Sequence, residues 1–482
     1  MTPNVPLISW LPDADPTTPG VIAEVENLIP TVRGYAPDGA EVDSSTYPMT
    51  MPATATNYSE GANTLYFQDG QIRVYVGSGG KLYLLDIFPP NLAQDVSRLS
   101  GAYVSGIDGW QFAQFQEFAL AVNGANILQS MGTPYTRFAD VSGAPSARTI
   151  AVNKNFVMTA CFSPFYNAAW PYEDGWWCSA LENHTSWTPD IATQCARGRL
   201  TATSGSIVRL VSYRDSIIAF KTTSMYRGDY TGATANTWSF PLISRSIGLV
   251  GRNAVCEAEN RLYWLGPDGF YVYDGASVNR IGSAPWNYIN EKCGPFFFNP
   301  AIYARWDKVR RCVRFYLSNS DNGQPFGLAY HIDTDKWGAF STNAACAFEI
   351  RFEFVNAPGS PTPNFYYLPL AVIDKTDRKI KVVGGGEPGV SSFTTGDIGD
   401  DDSVTSMMRG RVRFLSAPAT ATMTHTHRMD LGDTLTPGST VPRVSGKYDV
   451  SHAARWHRMK FSHTGKYEVT GFSVGPQAAG KR

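Results

Sequence analysis

Residues Val208 to Gly282 carry one pattern written twice. It opens as Val208-Arg209-Leu210-Val211-Ser212-Tyr213, turns at Arg214-Asp215, and runs on through Ser216-Ile217-Ile218-Ala219-Phe220 to Ser224-Met225-Tyr226-Arg227-Gly228. It restarts at Ala254-Val255-Cys256-Glu257-Ala258, turns at Glu259-Asn260, and continues through Arg261-Leu262-Tyr263-Trp264-Leu265 and Gly266-Pro267-Asp268-Gly269 to Phe270-Tyr271-Val272-Tyr273-Asp274-Gly275. Runs of β-branched and aromatic residues broken by such turn residues predict antiparallel meanders. One small sheet cannot bury both of its faces. Sheets repeated at a spacing of about forty residues must therefore stack on one another, as propeller blades do.

The same signals recur along the chain. Thr64-Leu65-Tyr66-Phe67, an Asp69-Gly70 turn, Ile72 to Val76 and Lys81 to Asp86 form one unit. Trp110 to Phe115, Phe118 to Val122 and Ile127 to Gln129, with an Asn123-Gly124 turn signal, form a second, and Arg148 to Trp187 a third. Beyond the doubled pattern, Ala301 to Trp306, Cys312 to Leu317 and Gly327 to Ile332 make a sixth, and Phe365 to Val383 a weaker last one. The expected fold is all-β: a propeller of about six blades over residues 59–384, with one unit able to close the ring using strands from both ends of the repeat region. With 13% aromatic and only 17% charged residues, the composition suits wide strand-on-strand surfaces better than solvated helices.

Residues 1–58 hold nine prolines and read as an extended N-terminal arm, in which Trp10 and Leu11 are placed to pack against another domain or subunit. Residues 385–402 read as a Gly-rich, then acidic, solvated linker. Residues 403–482 alternate with period two and are expected to form a small C-terminal β-domain with basic or polar residues on one strand face.

The function classes narrow by composition. A net charge of -1 supplies no basic field for gathering nucleic acid. No apolar run reaches the roughly eighteen residues of a membrane span, so no membrane insertion is expected. The opening Met1-Thr2-Pro3-Asn4-Val5-Pro6 lacks signal-peptide features, which points to synthesis in a cytoplasm. Seven irregularly spaced cysteines (Cys161, Cys178, Cys195, Cys256, Cys293, Cys312 and Cys346) read as reduced core residues.

No nucleophile elbow, zinc-protease, phosphate-loop or dinucleotide motif occurs, so neither a catalytic set nor a cofactor is expected. Asp215, Asp268, Asp274, Asp333 and Asp335 all stand at turns, where aspartate is expected for local hydrogen bonding. Arg305, Lys308, Arg310, Arg311 and Arg314, with Arg197 and Arg199, read as solvated outer-strand residues. Five of the seven histidines (His425, His427, His452, His457 and His463) lie in the last eighth of the chain and are expected to be exposed on strands, without a metal.

Several stretches resemble tail proteins of short-tailed bacteriophages. They are Trp10-Leu11-Pro12-Asp13-Ala14-Asp15-Pro16-Thr17-Thr18-Pro19-Gly20, Asn27-Leu28-Ile29-Pro30, Gly34-Tyr35-Ala36-Pro37 and the Arg209 to Gly228 pattern. Tyr330-His331-Ile332-Asp333-Thr334-Asp335-Lys336-Trp337, Ala454 to Phe461 and Tyr467 to Phe472 complete the set. The resemblance spans nearly the whole length and implies a tail hub or nozzle: a propeller protein assembled as a homohexameric ring below the portal and adaptor. It further implies partners among adaptor and tailspike or fibre proteins, non-specific contact with passing double-stranded DNA, and a place in the virion tail after assembly in the host cytoplasm. It brings no catalytic residues. The competing expectation is a carbohydrate-binding or carbohydrate-cleaving propeller.

Ring assembly needs surfaces outside the blades, and Trp and Arg are enriched where interfaces hold their energy. The expected assembly residues are Trp10, Leu11, Arg455, Trp456 and Arg458. Trp456 equally suits the core of the C-terminal domain. On this view, removing residues 1–20 leaves a folded β-rich monomer that no longer joins tails.

Overall fold

The doubled pattern folds as two neighbouring antiparallel sheets in a computed structural model. It describes residues 5–6, 9–44, 50–51, 61–67, 72–78, 80–85, 93–104, 109–132, 136–233, 236–282, 284–294, 302–318, 323–350, 352–354, 365–367 and 369–481. The first sheet joins Ile207–Tyr213, Ser216–Lys221, Met225–Ala233 and Asn236–Ser239, with Leu242–Ser244 added on Met225–Ala233. The second joins Val255–Ala258, Arg261–Gly266, Gly269–Tyr273 and Val278–Arg280. Glu259 and Asn260 both take positive φ (48° and 58°), as a two-residue type I′ hairpin requires. Phe220 packs edge-on against Trp264 at 5.2 Å, and Tyr213 lies 5.6 Å from Tyr273, so the two sheets bury one another's aromatic faces.

Among the described residues, seven such meanders stand in a ring, six of them as sheets of their own. Gly61–Tyr66 to Ala93–Asp95, Gln111–Phe115 to Ala139–Asp140, and Thr149–Asn153 to Arg197–Arg199 precede the doubled pair. Tyr303–Asp307 to Lys336–Ser341 follows, and its sheet continues beyond the ring. The closing blade pairs Ala344–Glu349, Leu370–Asp374 and Ile380–Val382 with Val42–Asp43 from the arm, and Ala344–Glu349 returns to Gly61–Tyr66. The ring is thus a β-propeller closed by strands from both ends of the repeat region, as expected. Asn123-Gly124 makes a wider turn than a tight hairpin: Asn123 Oδ1 accepts from the amides of Ala125 and Asn126. The Asp69-Gly70 turn and residues 1–4 lie outside the described residues.

The arm is woven in rather than laid alongside. Ser9–Trp10 and Val21–Glu26 enter a seven-stranded sheet with Ser391–Thr395, Trp456–Thr464, Thr420–Arg428 and Thr436–Pro442. Leu28–Pro30 and Tyr35–Pro37 bridge Lys336–Ser341 to Glu468–Lys481, Ser403–Ser416 and Tyr448–Ala454 in a second sheet. The two sheets share a core in which Phe461 meets Tyr448 at 5.4 Å and Phe472 at 6.4 Å. Asp13 also caps the one α-helix among the described residues, Trp286–Cys293: its carboxylate accepts the Asn287 and Tyr288 amides at 2.6 and 2.9 Å. Pro285, at the N-cap, offers no side-chain oxygen, so the arm supplies one. This helix is far too short and polar to cross a membrane.

Two expectations are corrected. The span 385–402 is not simply a solvated linker, because Ser391–Thr395 is buried throughout, hydrogen-bonded on one side to Val21–Glu26 and on the other to Trp456–Thr464. In the acidic stretch, Asp397 is buried and accepts from Arg428 at 2.6 Å and from Arg458 at 2.9 and 3.1 Å. Arg314 is not a solvated outer-strand residue. Its strand, Cys312–Ser318, is interior to its sheet, and the guanidinium is 0% exposed between Asp38 (2.8 and 2.8 Å) and Asp307 (2.9 Å). Arg311 and Arg199 do stay at the surface, paired with Asp333 and Asp174. Cys161, Cys178, Cys195, Cys312 and Cys346 are buried in the blades.

Candidate functional site at the arm and the C-terminal sheets

Trp10, the arm's aromatic anchor, is spent inside the chain. It is 1% exposed, its amide donates to the Tyr35 hydroxyl at 2.9 Å, and its ring meets Tyr288 edge-on at 5.1 Å. Tyr35 passes the bond on to the Trp337 carbonyl at 3.0 Å, which links arm and propeller through one buried hydroxyl. Leu11 is half-buried. Trp456 is buried too, its indole donating to Asp401 at 3.0 Å, and Arg458 is committed to Asp397. Arg455 is half-buried, and its carbonyl lies where a Cβ on Gly399 would come within 1.8 Å; with φ at +152°, that position accepts only glycine. Of the five residues expected at an interface, only Leu11 and Arg455 keep side chains that are neither buried nor locked in an ion pair.

The histidines are not exposed. On Thr420–Arg428 and Trp456–Thr464, alternation puts His425 and His427 on the face of Met423, and His457 and His463 on the face of Met459 and Phe461. That face is the core face: His425, His457 and His463 are buried, while Thr424, Thr426, Arg458 and Lys460 lie on the opposite face, where Lys460 is exposed and Arg458 covers Asp397. His425 Nε2 lies 3.0 Å from His457 Nδ1, and His463 Nε2 3.2 Å from the Tyr448 hydroxyl. Burial, followed by the neighbouring His457, His452 and His427, pushes the His425 imidazole down to about 3. Burial, followed by Arg443, pushes His463 to about 4.

A buried neutral histidine makes the fold acid-sensitive. The unfolded chain takes up a proton near pH 6.5 while folded His463 does so only near 4, so stability present above 6.5 is lost progressively as the pH falls through that window. The loss expected from His463 is about 3 kcal/mol. Urea unfolding at several pH values should show the slope between pH 6 and about 4.5 reduced by close to one proton in His463→Gln. An unchanged slope would remove His463 from this account.

Around the propeller axis the first strands place Arg209 and Arg305, with Arg252 next to them. Burial, then the charges of Arg305 and Arg252, lower the Arg209 guanidinium to about 9. The turn carboxylates are all engaged. Asp215 pairs with Lys154, Asp268 and Asp335 accept from Tyr271 and Tyr330, Asp274 holds its own turn, and Asp333 pairs with Arg311.

No protein-family model and no curated protein matches the chain. Among solved structures it is similar to BamB from Moraxella catarrhalis (8% identity, 74% of this chain and 96% of that one, TM-score 0.38). It is also similar to the computationally designed Ika8 protein (8% identity, 67% and 95% covered, TM-score 0.36) and to the extracellular domain of a hybrid two-component system of B. thetaiotaomicron (8% identity, 81% and 45% covered, TM-score 0.35). Likenesses this distant carry no argument, and the propeller rests on the strand order alone.

Sequence reasoning missed Asp38 and Asp307, whose partner Arg314 is far away along the chain or across a turn, and it missed Asp13 as a helix cap. The signal for the histidines was present: His457 alternates with Met459 and Phe461, which marks the core face.

Proposed function

We propose that the chain is a structural subunit of a bacteriophage tail, a hub or nozzle that assembles into a ring below portal and adaptor, conducts DNA at ejection and anchors tailspikes or fibres. The main support is that the first and last of the stretches carrying the tail-protein resemblance, at opposite ends of the sequence, meet in space. Trp10 lies in the sheet that contains Trp456–Thr464, and Val5 pairs with Phe472 of the facing sheet. A module built from both chain ends beside a closed propeller suits contact between copies, because the blades spend their apolar faces on one another. The engaged turn carboxylates favour a non-enzymatic role over glycan cleavage.

A chain of net charge -1 offers little of the counterion-release gain that makes strongly basic proteins hold a duplex, which favours DNA sliding past it. Filter binding with double-stranded DNA at physiological salt is expected to give weak retention, equal for all sequences. A tight, sequence-dependent complex would contradict the proposed role.

A further inference from the structure

Tail assembly leaves the C-terminal histidines unexplained. His425 and His427, on Thr420–Arg428, and His452, on Tyr448–Ala454, each bring a ring nitrogen within 4.8 Å of the other two. They come from different sheets and meet where the edge strands Thr436–Pro442 and Tyr448–Ala454 adjoin. Their rings are stacked, with centroids 5.0 to 5.6 Å apart.

Hydrogen bonding decides which nitrogen of His425 carries its proton. The Thr405 carbonyl can only accept, and it lies 3.1 Å from His457 Nε2, so that nitrogen bears the hydrogen. The Thr405 hydroxyl, 3.0 Å from the same nitrogen, can accept from it because its own hydrogen is directed at the Ala454 carbonyl, 3.4 Å away. In neutral His457, Nδ1 is then an acceptor, and His425 Nε2 at 3.0 Å must be the donor. This leaves His425 Nδ1 a bare lone pair on a fully buried side chain, with no hydrogen-bond partner. His427 Nδ1 has none either. A buried polar atom without a partner is costly, and two within one cluster call for a ligand.

Space beside these nitrogens is kept open. A Cβ on Gly438 would stand 3.0 Å from His425 Nδ1 and 3.3 Å from His452 Nε2, and 2.7 Å from the His425 carbonyl oxygen. His425 closes the inner side, while half-buried His427 and His452 leave the outer side open to solvent.

The geometry points to a divalent transition-metal site, best matched to Zn²⁺, with His425 Nδ1 and one ring nitrogen each of His427 and His452 as ligands. Neutral imidazoles select zinc, copper or nickel over calcium and magnesium. Zinc–nitrogen bonds of about 2.0–2.1 Å require nitrogens that stand within 4.8 Å of one another to draw together by up to about 1.5 Å, through rotation of the rings out of their stack. The bond from His425 to His457 and on to Thr405 is the outer contact that orients a ligating imidazole. The fourth position faces solvent and takes a water. The bound ion ties Thr420–Arg428 of one sheet to Tyr448–Ala454, the edge strand of the other, independently of any role in a tail.

The test uses the full chain without a histidine tag, stripped with chelator and dialysed against Zn²⁺ or Co²⁺. One equivalent of zinc per chain by elemental analysis, a raised melting temperature, and a Co²⁺ spectrum with paramagnetically shifted imidazole signals are expected. His427→Gln and His452→Gln, confirmed as folded by circular dichroism, should lose the equivalent, and His331→Gln in the propeller should keep it. No stoichiometric metal on the folded wild type, or retention by either variant, overturns the site. If the variants do not fold, the wild-type Co²⁺ spectrum decides: absence of shifted imidazole signals overturns it equally.

Discussion

Replacing Arg314 with alanine is expected to destabilise the folded chain by about 3–5 kcal/mol, because it takes the nearest cation from two buried carboxylates. Asp38 makes a bidentate pair with the guanidinium and Asp307 a third bond, and both carboxylates are then left to Arg310, 3.3 Å from Asp307 and 3.8 Å from Asp38. Burial alone would push the Asp307 carboxyl up, yet Arg314 and then Arg310 hold it below its ordinary value. The network also fastens the arm, which brings Asp38, to the sixth meander, which brings Asp307 and Arg314. Adding Asp38→Asn to the alanine variant should restore part of the loss, since one of the stranded charges is gone. Urea denaturation of the two single variants and the double variant measures this; a loss under 1 kcal/mol for Arg314→Ala would show that the carboxylates find other partners.

Trp10→Ala should cost a comparable 3–5 kcal/mol, the range for truncating a large buried aromatic. The indole fills the junction of Tyr288, Tyr35 and the seven-stranded sheet and donates its Nε1–H to the Ala23 carbonyl at 3.3 Å, whereas the backbone amide that donates to Tyr35 survives the substitution. Removing residues 1–20 takes this side chain away together with Asp13, the cap of Trp286–Cys293. The truncation is therefore expected to lower the melting temperature and open the arm to protease rather than leave an unperturbed monomer. Assembly is better probed at Leu11 and Arg455, whose side chains are half-buried and held in no ion pair. If the truncated chain melts with the full-length protein, the arm does not contribute to the core as described.

The blades were legible because their signals are local: alternating apolar residues and two-residue turns such as Glu259-Asn260 need no knowledge of the rest of the chain. What escaped depends on distant partners. Ser391–Thr395 has one large apolar residue, Phe393, and reads as a linker until strands from residues 21–26 and 456–464 flank it. Val42–Asp43 could not be assigned to the closing blade from its own two residues. Trp10 was legible as an anchor, but its target was the chain's own helix and sheets. The histidine cluster was half-visible: alternation marks the core face of each strand, whereas the meeting of His452 with His425 and His427 requires the second sheet to fold over the first.

The claim that this is a ring-forming structural subunit is tested most directly by electron microscopy of the purified full-length protein, with its mass measured in parallel by sedimentation. Closed rings of six identical copies around an open centre are expected. A protein that remains a monomer at every concentration, and still does so when mixed with tail particles lacking their hub, would contradict the claim.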